Sequence, residues 1–459
     1  MKVLVVLGRK ISIWIVGGVL ILSSVTVLAQ SAPNNLKLAV FDIDATPPVG
    51  SQLTYDPMVN SWDLGLRAKG IVILGAGQPI VMCSVDWIGI SNESQDEFKR
   101  VMALAAGTIP SRVVVHTIHQ HDAPTSDLGA EVIMKSAGVL PGAFEGSYTR
   151  DLIERLGSAI KKSILTAGPF THVGTGQAQV FKVSSNRRIL GADGEVKATR
   201  TSATKDSLIR AEPEGLVDPM VSLVSFWNNN KPLAVLSYYA SHPQSYYRTG
   251  VANPDFPGVS RFMRQLAVPD ALHIHFNGAG GNITAGKYND GAKENRLILA
   301  ERLADGMKRA WESTKREPVT PVSVLWNVEP VALAPAAGIE KLEAGLKTET
   351  SVFIANNISK LVWLRRLQAG KKIDISTLTV GKARILHLPG EPFVEYQLAA
   401  KAARPDLFVA VAGYGDYGVG YIGTAIAYGQ GGYETGQASG VTAEAEDILM
   451  KAIKKLLQK

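Results

Sequence analysis

Residues Val113 to Pro124 read V-V-V-H-T-I-H-Q-H-D-A-P, an apolar run that ends on His116, His119 and His121. Three of the chain's eight histidines therefore fall within six residues. Side chains two apart on an extended strand share a face, so a strand over Val113 to His119 predicts that His119 and His121 point the same way, with Asp122-Ala-Pro124 breaking the strand beside them. Neutral imidazole is the commonest protein ligand for zinc. The same pattern also fits a hydrogen-bonded, half-buried histidine pair with no metal.

Outward from this stretch, short apolar strand candidates recur at Lys37 to Phe41, Gly70 to Val85, Ala234 to Tyr239, Ala271 to Phe276, Ala383 to Leu388 and Leu407 to Ala412. Helical patterns lie between and after them at Ser94 to Ala106, Ser147 to Thr166, Lys293 to Lys315 and Ala443 to Gln458. This alternation predicts an α/β protein of mixed β-sheets flanked by helices. No linker, repeat period or low-complexity segment interrupts it, and the polar candidates are spread along the chain, which predicts a single large catalytic domain over residues 30–459.

The N-terminus predicts export. Lys2, Arg9 and Lys10 precede an uncharged run from Ile11 to Leu28, and Val27-Leu28-Ala29 offers the small residues of a signal-peptidase site, so residues 1–29 read as a cleaved secretory signal. An uncleaved anchor is the competing reading. Loss of the signal removes three positive charges and takes the formal net charge from +7 to +4. No Lys/Arg cluster or zinc-finger spacing accompanies that excess, which argues against a nucleic-acid partner and leaves a small-molecule or lipid substrate. A weakly basic exported protein is also compatible with peripheral contact at a membrane surface. Cys83, the only cysteine, lies in a strand candidate and reads as a buried thiol.

Four more segments carry polar groups at strand ends or turns. Tyr238-Tyr-Ala-Ser-His-Pro243 ends a strand on His242, which Pro243 biases toward an extended conformation. Phe276-Asn-Gly-Ala-Gly-Gly-Asn-Ile-Thr284 is a glycine-rich strand exit whose amides can either cradle an oxyanion or simply turn. Leu388-Pro-Gly-Glu-Pro-Phe393 puts Glu391 on a tight turn, or at a helix start. Tyr414 to Thr424, continuing to Tyr433, is an aromatic loop that reads either as surface turns or as pocket lining.

Taken in order, these segments resemble the neutral/alkaline (non-lysosomal) ceramidase family. Asp42-Ile-Asp-Ala-Thr-Pro-Pro-Val-Gly50 resembles that family's D-I-T-P-P-V-G with one residue inserted, and Ser84-Val-Asp-Trp-Ile-Gly89 resembles its S-V-D-x-I-G. The resemblance implies the family's N-terminal catalytic domain without the C-terminal immunoglobulin-like domain. It implies a zinc site made by His119, His242, Glu391 in P-G-E-P-F and Tyr421 in G-Y-I-G-T. It further implies catalytic roles for His121, for Arg187 of the Asn186-Arg187 pair and for Tyr433, and it assigns neither His273 nor His275 to the metal. Two histidines, a carboxylate and a phenol leave room for water on zinc, whose bound water has a pKa lowered from about 15.7 towards 7.

The function so implied is a secreted or periplasmic zinc-dependent amidohydrolase that cleaves the amide of an N-acylated, ceramide-like lipid by attack of zinc-bound hydroxide. The sequence departs from the family at Gly278, which stands where the family has a serine, and at Asn282, which replaces an aspartate. These departures keep open hydrolysis of another acylated compound, such as a glycan ester, or a catalytically inactive exported lipid- or glycan-binding relative.

Overall fold

The computed structural model describes residues 35–348 and 351–459, apart from residue 63, together with residues 1, 3, 4 and 8. The expected signal segment therefore lies almost wholly outside the described residues.

Three β-sheets carry the architecture, and each repeats one order of elements. In the first, Lys37–Asp44 runs antiparallel to Arg67–Leu74, which turns back into Ile80–Val85; helix Asn92–Ala106 then leads to Val113–Thr117, parallel to Ile80–Val85. In the second, His172–Gln179 pairs with Met220–Asn228, the hairpin returns as Lys231–Tyr239, and helix Asp255–Ala267 leads to the parallel strand Leu272–Asn277. In the third the same places are taken by Val324–Val331, Ile373–Val380, Ala383–His387, helix Val394–Ala403 and Phe408–Ala412. The parallel pair in each sheet is what requires the crossover helix. Short edge strands, Gly168–Pro169 and Lys315–Pro318, widen the first two sheets.

Side-chain alternation explains how the sheets pack. Ile71 and Ile73 join Val224, Phe226, Leu378 and Val380 in one core shared by the three sheets. Their strand neighbours face the other way: Ala68 and Val72 pack with helices Asn92–Ala106 and Ser147–Leu165, and Val221 and Leu223 pack with helix Asn295–Glu312. Ile373 and Ile375 pack with helices Ser351–Gln368 and Ala445–Gln458. Strands buried on both faces read as near-continuous apolar runs, which is why their sequence signal is strong. Cys83 is buried and free, as its strand position suggests.

The mixed sheets flanked by helices agree with the sequence reading, and three details correct it. Gly70 to Val85 is two strands joined by a tight reversal in which Gly75 and Gly77 both have positive φ. The strand carrying the opening histidines ends at Thr117, and His119 has φ +66. Finally, a threefold repeat of topology is present where no sequence period shows, because the copies begin at Lys37, His172 and Val324 and carry unlike insertions.

The carboxyl ends of the three parallel strands are tied together. Gly413 N–H donates to the Asn277 carbonyl at 2.9 Å, and Thr117 N–H donates to that of Tyr414 at 3.0 Å. The Asn277 amide side chain reaches the Ile118 carbonyl at 3.3 Å. Such ends are where open α/β sheets place their ligands.

Candidate metal centre

Each polar side chain is delivered by a loop that leaves a strand end. His119 follows Val113–Thr117 by two residues, and its main-chain N–H donates to the Trp87 carbonyl at 3.0 Å. A positive φ is uncommon outside glycine and costs backbone energy, so this turn is held by its surroundings. It aims Nδ1 at the Ile88 carbonyl, 2.7 Å away. His242 leaves the strand Lys231–Tyr239, and its Nδ1 lies 2.9 Å from the Gly280 carbonyl and 3.1 Å from that of Ile283. Because a carbonyl only accepts, both Nδ1 atoms carry the hydrogen, and in the neutral ring Nε2 keeps its lone pair.

Those two Nε2 atoms converge on one carboxylate oxygen. Glu391 Oε2 lies 3.0 Å from His242 Nε2 and 3.3 Å from His119 Nε2, with both ring systems and the carboxylate buried. It has no hydrogen-bond partner. Burial holds His242 down to about 4, with the Arg187 charge acting in the same direction, so this ring is neutral at pH 7. Three lone-pair donors thus face one another across about 3 Å. In a buried site that arrangement calls for a cation between them.

Tyr421 completes the ring of ligating atoms. The short parallel pair Glu391–Pro392 and Tyr421–Ile422 sets the two residues side by side, and the Tyr421 hydroxyl lies 3.1 Å from His242 Nε2. Arg187 Nη1 donates to the Tyr421 hydroxyl at 3.1 Å and to that of Tyr433, and the two hydroxyls are 2.8 Å apart. Burial opposes the Arg187 charge, but Tyr433, Tyr421, Glu434 and Glu391 outweigh it and raise its pKa.

His121 stands on the same side. Its ring centroid is 4.9 Å from that of His119 and 5.9 Å from that of His242, and its Nδ1 has no partner. Ring nitrogens of His119, His121 and His242 all lie within 4.8 Å of one another, so these three imidazoles can hold a metal ion. Burial, with the two neighbouring histidines, lowers the His121 pKa well below its ordinary value.

The structure thus brings together His119, His121, His242, Glu391, Tyr421, Arg187 and Tyr433. It leaves His116 out: its Nδ1 meets the Gly413 carbonyl at 2.6 Å and its ring packs against Phe276 and His387. His275 is a core residue bonded to the Ser237 hydroxyl at 2.9 Å.

Three amides of the glycine-rich exit are already spent and are not free to cradle an oxyanion. Gly278 N–H is spent on the Tyr239 carbonyl, Ala279 N–H on the Gln397 side chain, and Gly281 N–H on the Pro392 carbonyl. Its role is orientation, since the Gly280 and Ile283 carbonyls fix His242 and the Asn282 carbonyl accepts from Arg187 N–H at 2.9 Å. Gly281 lets this turn lie against the Glu391 main chain, because a Cβ there would come within 2.4 Å of the Glu391 carbonyl oxygen.

Four residues with no role in the sequence reading belong to the site. The Tyr414 ring, also at positive φ, stacks on His119 at 4.5 Å. The Tyr417 hydroxyl donates to Glu391 Oε1 at 2.5 Å. Tyr55 and Tyr247, from two other loops, contact the His121 ring and are 41 and 39 % exposed, so with Tyr433 at 44 % they form the mouth. Tyr414 and Tyr417 lie in the aromatic loop that the sequence singles out, whereas nothing local marks Tyr55 or Tyr247.

Neither a protein-family profile nor a curated protein sequence matches the chain. Solved structures do match its fold. A ceramidase complexed with C2 superposes with a TM-score of 0.67 over 93 % of this chain and 76 % of that one, at 15 % identity. A neutral ceramidase from Pseudomonas aeruginosa gives 0.66 over 93 % and 75 %, also at 15 % identity. The fold is that of the neutral ceramidases.

Proposed function

We propose that this chain is an exported zinc-dependent amidohydrolase acting on an N-acylated lipid of the ceramide class. The observation that carries the reading is the partnerless Glu391 Oε2, held 3.0 and 3.3 Å from the lone-pair nitrogens of His242 and His119. With Tyr421 these residues would hold zinc, which supplies a Lewis acid and a water of lowered pKa at neutral pH. The lipid class comes from the ceramidases that share the fold. Export rests on Lys2, Arg9 and Lys10 ahead of the apolar run.

The chain's own groups then divide the work. Arg187 Nη1, which is buried, and the hydroxyl of the exposed Tyr433 form a donor pair beside Tyr421, placed to stabilise negative charge developing on an amide oxygen. His121 is kept neutral by burial and has a free Nδ1, so it can take up a proton and return it to the leaving amine. Gly278 offers no hydroxyl, so no side-chain nucleophile stands at that position.

A second reading, cleavage of an ester on an acylated glycan at the same centre, draws support from the phenol-lined mouth of Tyr55, Tyr247 and Tyr433. Metal analysis of the purified protein, followed by a panel of N-acyl and O-acyl substrates, separates the two. Stoichiometric zinc with amine release supports the amidase. Zinc with release from O-acyl substrates alone supports the esterase, and zinc-loaded protein that binds a panel member without turnover leaves an inactive binding relative.

A further inference from the structure

We propose that Tyr417 is a positioning residue that reserves one oxygen of Glu391, so that the carboxylate offers the metal a single atom and one coordination place stays open. The inference rests on the metal reading above. It concerns a side chain that makes no contact with the metal itself.

A carboxylate has two oxygens and can bind a cation through one or both. Here the two are treated differently. Oε2 faces His119 and His242 and lacks a hydrogen bond, while Oε1 accepts the Tyr417 hydroxyl at 2.5 Å. A carboxylate oxygen only accepts, so the Tyr417 phenol is the donor of this bond. The contrast with Tyr414 is informative, since that ring also lies against His119 but its hydroxyl has no partner.

The ring of Tyr417 is held in place. It begins the turn Tyr417–Val419, where Asp416 Oδ1 accepts from Gly418 N–H at 3.2 Å and from Asn92 N–H at 3.0 Å. It lies 5.3 Å from the His119 ring. Gly89 also lies against it, where a Cβ would come within 2.6 Å of the Tyr417 ring. Second-layer hydrogen bonds of this kind orient first-layer ligands and tune the metal they hold.

The test uses the full chain loaded with cobalt(II), whose visible absorption weakens as coordination number rises. In Tyr417→Phe the freed Oε1 should join the metal, lowering the visible absorbance by about twofold or more at unchanged metal stoichiometry. Gly89→Ala keeps the hydroxyl but displaces the ring and should shift the spectrum in the same direction. Tyr414→Phe should leave it unaltered. Wild-type protein that binds cobalt while Tyr417→Phe shows the same spectrum, or loses the metal altogether, overturns the positioning role alone. Wild-type protein that binds no cobalt overturns the metal reading beneath it.

Discussion

His242 and Glu391 meet at 3.0 Å and hold the same place in two copies of one structural unit. Each follows the second strand of its sheet's hairpin, Lys231–Tyr239 and Ala383–His387, and each precedes its crossover helix. The corresponding loop of the first sheet, after Ile80–Val85, contributes the Ile88 carbonyl that orients His119. A repeated topology thus delivers three equivalent loops to one point, two of them supplying the His242 and Glu391 side chains and the third a supporting main-chain carbonyl.

Removing either partner should empty the site. Glu391→Gln or His242→Ala is expected to weaken zinc binding by more than about 100-fold, beyond the loss typical of a supporting residue. Competition against a chelator with graded zinc affinity measures this. Unchanged affinity in both variants would remove these residues from the metal site.

Gly278→Ser should not restore a family-like nucleophile. A Cβ at Gly278 would lie 2.6 Å from Gln397 Oε1 and 3.0 Å from Ala240 N. Gln397 cannot swing aside freely, because its Nε2 donates to Asp218 at 2.6 Å and its Oε1 accepts from Ala279 N–H. The expected outcome is a stability loss of about 1–3 kcal/mol with no gain in turnover. Denaturant unfolding and initial rates measured on the same preparation check both halves.

How much of this was legible in the sequence depends on the range of the interaction. His119, His121, His242 and Glu391 stand beside strand ends and turn residues, so local pattern exposed them. The geometry at His119 was not legible, because alternation assumes a strand that instead ends at Thr117 and turns through a positive φ. Three amides of the glycine-rich exit look free in sequence but are consumed by Tyr239, Gln397 and Pro392, partners distant in the chain. Tyr55 and Tyr247 reach His121 only by tertiary folding. Helix Ser351–Gln368 escaped because its apolar residues form no single stripe.

Acid should destabilise the fold through buried neutral histidines outside the candidate metal centre. Burial lowers His116 to about 4 and His275 to about 3. The folded chain therefore binds fewer protons than the unfolded chain below pH 6.5, so stability is full above that value and is lost as pH falls towards 4. Each ring should cost about 2 kcal/mol between roughly pH 7.5 and 5. Urea unfolding of His275→Gln should show a pH loss smaller than wild type by that amount, and an identical loss would exclude the mechanism.

Tyr433→Phe isolates the donor pair at the mouth. Losing one preorganised donor should lower kcat on the order of 10² while zinc content stays unchanged. A full rate with bound zinc would show that the Arg187 and Tyr433 pair takes no part in the reaction.

The proposed reaction is hydrolysis of an amide with the metal held by His119, His242, Glu391 and Tyr421. Its most direct test is release of the free long-chain amine from an N-acylated sphingoid lipid, followed in zinc-loaded wild type, in the metal-stripped protein and in His119→Ala. Release is expected from the first, none from the other two, and recovery when zinc is returned to the stripped wild type. Equal amine release with and without metal would contradict it, as would none from fully zinc-loaded wild type.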